Sequence, residues 1–477
     1  HLQALVLSKR LQAEEIDSVA VISLPDFHRA EWEIAHRLMN LSQFAQQVMD
    51  GHVPSQIAAF ERDNHITFSP TQRAAIQSAT ESGVLVITGG PGTGKTTLIN
   101  CILHVAGGDD VLLAAPTGRA AKRMSEATGR EAKTLHRLLE FGGDMEQFQR
   151  NVDNPLDCSM IVVDEMSMVD IFLMRSLLRA IQPGTRIILV GDADQLPPVG
   201  PGNVLRDILS SGMVPHVRLT EIFRQEEQSM IVINAHRING GENPVVNRRD
   251  GDFFYASAAS PQAAAQEIVG LCRHRLPGFL GNDSQGDVQV LSPTRKGTCG
   301  VAELNALLQR ELNPPHEDAP ELVFGDTIFR LHDKVIHIKN DYHLAWSTPD
   351  GEEGEGVFNG DVGRVTHVDA ENRLLTVQYD DQRTVEYANA QFEELELAYC
   401  LSVHKSQGSE FEAVVMPVVG GPPMLLTRNL LYTAVTRARK LVVLVGYERA
   451  IAQMVANNII NRRYSLLEQR LLQLGMG

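Results

Sequence analysis

Val84-Leu-Val-Ile-Thr-Gly-Gly-Pro-Gly-Thr-Gly-Lys-Thr96 decides the fold. Its first residues form a short apolar run, which reads as a strand buried on both faces. Gly89 to Thr96 then fits G-x-x-x-x-G-K-[ST], and Thr97 to Val105 reads as helix. A strand, a glycine loop and a helix in that order make a phosphate cradle, because glycines let successive N–H groups turn toward one anion. Lys95 is placed to reach the β and γ phosphates of a nucleotide, and Thr96 to ligate Mg²⁺.

Outward from this loop the same texture repeats. Val111–Ala115, Met160–Val163 and Ile187–Val190 are apolar runs, each followed by polar or glycine-rich residues. That pattern predicts an α/β fold with a parallel sheet and ligand loops at the carboxyl ends of the strands. A second set is expected at Asp287–Ser292, Ala413–Met416 and Lys440–Val445. Between its halves, Thr327–Ile338, Gly363–Val368, Leu374–Tyr379 and Thr384–Tyr387 alternate in polarity, which suggests a small inserted antiparallel barrel. An acidic loop is expected from Pro349 to Gly356. Val19–Leu24 reads as a strand and His28–Met49 as a helix, giving a small N-terminal helical or winged unit. The expected domains are 1–65, then 66–214 with a short hairpin insert at 141–157, then 215–325 joined with 396–477, and the insertion 326–395.

Composition narrows the class further. The 477 residues are 43% hydrophobic and 21% charged, an ordinary globular balance. No run is long and apolar enough for a membrane-spanning helix, so no membrane partner is expected. Five cysteines lie far apart without zinc or redox spacing, which fits a reducing, cytoplasmic setting. The net charge of -16 argues against a chain coated in basic patches. The charge is uneven, however: Glu311–Ala398 holds 20 acidic and 6 basic side chains, a balance of -14. The remainder is close to neutral and leaves room for a nucleic-acid groove.

Ile161-Val-Val-Asp-Glu165 follows the phosphate loop by roughly 70 residues. An apolar strand ending in two acids suits Mg²⁺ coordination by Asp164 and orientation or deprotonation of the attacking water by Glu165. Gln195, in Gly191-Asp-Ala-Asp-Gln-Leu196, is placed to sense the γ-phosphate. Arg224 and Arg437 are candidate arginine fingers, since a transferring phosphoryl group needs positive charge on its equatorial oxygens.

In this order the motifs resemble those of superfamily 1 helicases, most closely the RecD-like DNA helicases. Phe68-Ser-Pro-Thr-Gln72 looks like the adenine-recognition element. Ala115-Pro-Thr-Gly-Arg-Ala-Ala-Lys122 and Thr134-Leu-His-Arg-Leu138 look like motifs Ia and Ib. Leu401-Ser-Val-His-Lys-Ser-Gln-Gly-Ser-Glu-Phe411 resembles motif V, and Leu431–Arg439 motif VI. The similarity runs from about Phe68 to Gly446.

The resemblance implies two RecA-like P-loop domains, an SH3-like barrel at the insertion that includes Phe358-Asn-Gly-Asp-Val-Gly363, and ATP with Mg²⁺. It implies nucleotide contacts from Gln72, Gly90, Pro91, Gly92, Thr93, Gly94, Lys95, Thr96, Thr97 and Glu410. It assigns DNA contacts to Pro116, Thr117, His136, Asn359, His404 and Lys405, and movement on single-stranded DNA in the 5′→3′ direction. Single-stranded DNA, strand junctions and proteins of a repair complex are the expected partners. Alternatives are a motor subunit of a multi-subunit exonuclease, or a nucleotide-dependent switch without processive movement. Glu165 disfavours the switch, which needs no water-orienting acid. Phe141–Asp157 lies where the family carries a duplex-splitting hairpin. No upstream helix-hairpin-helix module is visible and His1 is not Met, so the chain is expected to begin inside a longer protein or after a tag. If the barrel borders the strand, Asp350–Glu355, Asp380 and Asp381 are expected to face solvent, and Lys334, Lys339 and Arg364 to lie nearer the strand.

Overall fold

The computed structural model describes all residues except 17, 44–51, 109, 143–146, 223–227, 247–250, 282–287, 318, 460–462 and 476–477. A six-stranded sheet carries the phosphate loop. Its order is His216–Leu219, Val84–Gly89, Arg186–Gly191, Met160–Val163, Val111–Ala115 and Ala132–Thr134, all parallel. Side chains alternate across a strand, so both faces need cover. Val84, Val86, Ile161, Val163, Ile187 and Leu189 join one core with Ile34 and Leu38 of the Pro25–Gln43 helix and Leu467 of the Leu467–Gly475 helix. Leu85, Ile87, Val162 and Ile188 join the opposite core with Leu98 and Ile102 of the Lys95–Ala106 helix. Double burial is why these strands read as unbroken apolar runs.

A second, five-stranded parallel sheet has the order Phe253–Ser257, Ala438–Gly446, Phe411–Val418, Val288–Ser292, Cys400–Ser402. It too splits its residues between two cores, with Val414, Met416, Val442 and Leu444 on one side and Ala413, Val415, Leu441 and Val443 on the other. The strands Phe253–Ser257 and Cys400–Ser402 were not expected; the second is three residues long and gives no periodic signal. Asp287 lies outside the described residues.

The insertion forms a seven-stranded sheet in the order Glu353–Val357, Asp341–Ser347, Thr384–Ala388, Leu374–Tyr379, Val362–Asp369, Lys334–His337, Leu395–Leu397, with antiparallel pairing. Two expectations change here. Thr327–Ile338 is two strands rather than one. The chain breaks at Asp333, which is fully buried and draws the backbone inward. Its carboxylate accepts from Gln309 Nε2 at 2.6 Å, Asn313 Nδ2 at 2.8 Å, the Arg330 N–H at 2.7 Å and Tyr399 O–H at 2.8 Å. Thr327–Arg330 then pairs with Glu321–Phe324, a hairpin that crosses the boundary expected at Asp326. The second change is the acidic loop, whose end Glu353–Val357 is a strand paired with Asp341–Ser347. Gly354 permits it: a Cβ there would stand 2.4 Å from Trp346 Cζ2.

At the N-terminus, the helix Leu2–Leu7 and the hairpin Gln12–Ile16 with Val19–Ser23 precede the Pro25–Gln43 helix. The helix expected to reach Met49 is described as far as Gln43; its remainder lies outside the described residues. Arg470 of the C-terminal helix is buried, donates from Nη1 to Glu14 Oε2 at 2.6 Å and lies 4.7 Å over the Trp32 ring.

Candidate nucleotide and strand clefts

The carboxyl ends of both parallel sheets open on one cleft of ≈ 600 Å³. Its first wall is the phosphate loop. Gly92 and Gly94 take φ of 70° and 75°, the left-handed region where a side chain is strained. Lys95 turns back into the loop, and its Nζ donates to the Gly89 and Gly90 carbonyls at 2.7 and 2.9 Å. Gly90, Pro91, Gly92, Thr93, Gly94, Lys95, Thr96 and Thr97 all line the cleft, with Asp164, Glu165, Gln195, Glu410 and Arg437. Thirteen of the residues singled out from the sequence thus meet in one place, drawn from both sheets.

Asp164 and Glu165 close the Met160–Val163 strand. The Glu165 N–H donates to Asp164 Oδ1 at 2.8 Å, and Glu165 takes a left-handed φ of 54°. Burial and the neighbouring Glu165 push the Asp164 carboxyl up. Burial also acts to raise Glu165, but the Arg437 and Arg123 guanidinium groups overcome it and hold the carboxyl down at about 2. Arg123 Nη2 donates to Glu165 Oε1 at 2.7 Å, and Arg437 Nη1 stands 3.8 Å from the same atom. Arg123 Nη1 also pairs with Glu410, whose Oε2 accepts from Arg439 Nε at 2.9 Å. The result is an alternating row: Arg437, Glu165, Arg123, Glu410, Arg439. Thr96 and Asp164 in one cleft fit Mg²⁺, an ion usually held by one or two protein oxygens plus substrate phosphates and water.

Other placements differ from expectation. Gln72 does not line the cleft. It is buried; its Oε1 accepts from the Ser69 N–H at 2.9 Å in a capping box, and its Nε2 donates to the Thr93 carbonyl at 2.9 Å. Both ends of the amide are therefore spent on bracing the phosphate loop. Gln195 is held through Nε2 by Asp192 Oδ2 at 3.3 Å, while its buried Oε1 has no hydrogen-bond partner among the described residues. Arg224 lies outside the described residues. Sequence reasoning missed Arg123, Arg439 and the pair Tyr432–Asp192, in which the hydroxyl, on the Arg428–Val435 helix packed against the second sheet, donates to Asp192 Oδ2 at 2.7 Å.

A second cleft of ≈ 350 Å³ runs beside the Gly118–Thr128 helix. Pro116, Thr117, His136, Asn359 and His404 line it, with Thr134, Gln407, Asn340 and Phe358. Thr117 is also the helix N-cap, its Oγ1 accepting from the Ala120 N–H at 3.3 Å. Burial pushes His136 and His404 below the usual histidine range. Lys405 does not line this cleft: its Nζ pairs with Glu396 at 2.7 Å. The hairpin Phe141–Gly142 with Gln147–Phe148 stands at one end, where the Phe141 ring lies 4.5 Å from Tyr342 of the insertion.

The charge pattern of the insertion also departs from expectation. Asp380 is exposed, as expected, but it also pairs with Arg119, and its carbonyl accepts from Lys122 Nζ at 2.7 Å, so it meets the first sheet's helix as well as solvent. Asp381 pairs with Arg383 at 2.7 Å and Lys339 with Glu393 at 2.5 Å. Lys334 and Arg364 line a separate cavity and not the cleft of Thr117 and His136.

Two RecA-like sheets opening on one phosphate loop define a two-domain P-loop fold of the helicase type. Family models agree by region: an AAA domain at residues 72–201, the SH3 domain of ATP-dependent RecD-like DNA helicases at 304–379, and the UvrD-like helicase C-terminal domain at 397–445. The ATP-dependent RecD2 DNA helicase of Deinococcus radiodurans is 35% identical over 94% of this chain. The chain spans 58% of that relative's length. The RecBCD enzyme subunit RecD of Mycobacterium tuberculosis is 33% identical, over 85% of this chain and 74% of the relative. A solved Bacteroides Pif1 bound to ssDNA is 21% identical, with a TM-score of 0.46, over 80% of this chain and 92% of that one. The chain belongs to the RecD family of helicases. Among its described residues, no helix is long and apolar enough to cross a membrane.

Proposed function

We propose that this chain is an ATP-driven DNA helicase motor that moves on single-stranded DNA, 5′→3′, in DNA repair or recombination within the cytoplasm. The observation that carries the reading is the shared cleft: phosphate loop, paired acids and Arg437 converge from two separate sheets. On this reading the domains are 1–65, 66–214, 215–325 with 396–477, and the insertion 326–395. Lys95 and the loop amides bind the phosphates, and Glu165 takes a proton from the attacking water. Arg437 and Arg224 come from the second domain to stabilise the equatorial oxygens as charge develops. Thr96 and Asp164 hold Mg²⁺, which would neutralise phosphate charge when bound. Hydrolysis and phosphate release remove the anion that both domains grip, so the cleft opens and closes once per ATP.

The strand lies in the second cleft against Thr117, His136, Asn359 and His404. Hydroxyls, amides and neutral imidazoles can follow a backbone without reading bases. Strand displacement on 5′-tailed and 3′-tailed duplexes tests the reading: ATP-dependent unwinding of the 5′-tailed substrate is expected, and unwinding only from a 3′ tail would reverse the polarity. Similarity to RecBCD subunits favours a second reading, a motor that works within a multi-subunit exonuclease. Unwinding by the isolated chain would count against obligate partnership.

A further inference from the structure

One helix touches every moving part of the proposed machine. Gly118–Thr128 begins at Thr117 in the strand cleft. Its next turns present Arg119, Lys122 and Arg123, which share a face at i, i+3 and i+4. Arg119 and Lys122 hold Asp380 of the insertion. The approach is close at the helix start as well, where a Cβ on Gly118 would lie 3.3 Å from Asp361 Oδ1. Arg123 reaches the other way and bridges Glu165 of the first sheet to Glu410 of the second.

Arg123 Nη2 donates to Glu165 Oε1 at 2.7 Å and Arg437 Nη1 stands 3.8 Å from the same oxygen, so while the row Arg437–Glu165–Arg123–Glu410 is closed that oxygen is taken and cannot orient an attacking water. An incoming polyphosphate competes for the same guanidinium groups and can draw Arg437 away. Arg123 leaves only if its helix shifts, and both the strand cleft and the insertion hold that helix.

We propose that Arg123 is a positioning residue that masks Glu165 in the strand-free protein, and that strand binding unmasks it by moving the Gly118–Thr128 helix. This rests on the ATP-hydrolysis reading above. It assigns strand-stimulated turnover to one salt-bridge exchange, with the insertion acting through Asp380 to set the resting position.

The test is steady-state ATP hydrolysis without and with saturating oligo-dT, for wild type, Arg123→Gln, Arg123→Lys and Asp380→Asn. Arg123→Gln is expected to raise strand-free kcat about tenfold, the scale of one lost charge-assisted hydrogen bond, while the stimulated kcat changes less than about threefold. Stimulation then collapses, a result that general weakening of the fold does not produce. Arg123→Lys keeps the charge without the fork and should fall between. Asp380→Asn should raise the strand-free rate in the same direction by a smaller factor, and it carries the test if Arg123→Gln does not fold. Strand-free rates that stay level in Arg123→Gln and Asp380→Asn, or that fall in parallel with the stimulated rates, overturn the masking role alone. A wild type that hydrolyses no ATP with or without DNA overturns the helicase reading as well.

Discussion

The two clefts both suit phosphate, yet they are built in opposite ways. The nucleotide cleft is dense in paired charge: Glu165 and Glu410 alternate with Arg123, Arg437 and Arg439. The proposed strand cleft is lined, among the described residues, by hydroxyls, amides, two histidines, Asp170 and apolar side chains such as Met168, Leu173, Val199 and Phe358, with neither lysine nor arginine. The difference suits the two ligands. ATP must be gripped hard in the transition state, where preorganised charge in a water-poor site counts most. A translocating motor must let its strand go every cycle, and neutral contacts release more readily than guanidinium–phosphate pairs.

The comparison can be broken most directly at Glu165. Glu165→Gln is expected to keep nucleotide affinity within a few-fold and lose about 10²–10⁴ in kcat, read by paired binding and turnover measurements. A turnover near wild type would remove the base from the charged cleft. Next comes Arg437→Lys, which keeps charge and loses the planar fork. A kcat loss of about 10²-fold with little change in nucleotide affinity is expected; equal losses in both would make Arg437 a ground-state binder.

On the neutral side, Thr117→Ala with His136→Ala should weaken single-strand affinity about tenfold. The slope of log affinity against log salt should stay the same, because no counterion-releasing charge is removed. A flattened slope would show that this cleft is charged in use. The same logic gives a pH dependence. His136 and His404 are pushed down by burial and are neutral at pH 7. Strand affinity should therefore rise only as pH falls below the ordinary histidine range, measured by anisotropy between pH 7 and 5. The smallest effect belongs to Lys405→Ala, expected to change affinity less than about twofold because Lys405 is paired with Glu396 outside the cleft.

How much of this was legible in the sequence depends on what each residue must do alone. Glycine-loop spacing is a local requirement, so Gly89–Thr96 could be read directly, and so could the doubly buried strands around it. Arg123 could not. Within Gly118-Arg-Ala-Ala-Lys-Arg123 it resembles any solvated helix face, and its meaning comes from two carboxylates 42 and 287 positions away. Gln72 and Lys405 are the opposite case: motif position suggested ligand contact, and the structure shows a capping box and a nearby glutamate engaging their side chains. The break at Asp333 was hidden because an alternating stretch looks continuous until its buried acid finds four donors.

That buried acid has a mechanical consequence. Gln309 and Asn313 belong to the helix leading into the insertion and its boundary, Arg330 to the strand within it, and Tyr399 to the chain leaving it. Entry and exit are thus riveted at a single carboxylate, and the Gln289 amide adds bonds to the Ala398 and Tyr399 carbonyls at 3.1 Å each. A module tied at both of its roots has no soft joint there. The barrel would then ride with the second lobe, and any rotation between the lobes would be felt where Asp380, close to that root beside Lys334, meets Arg119.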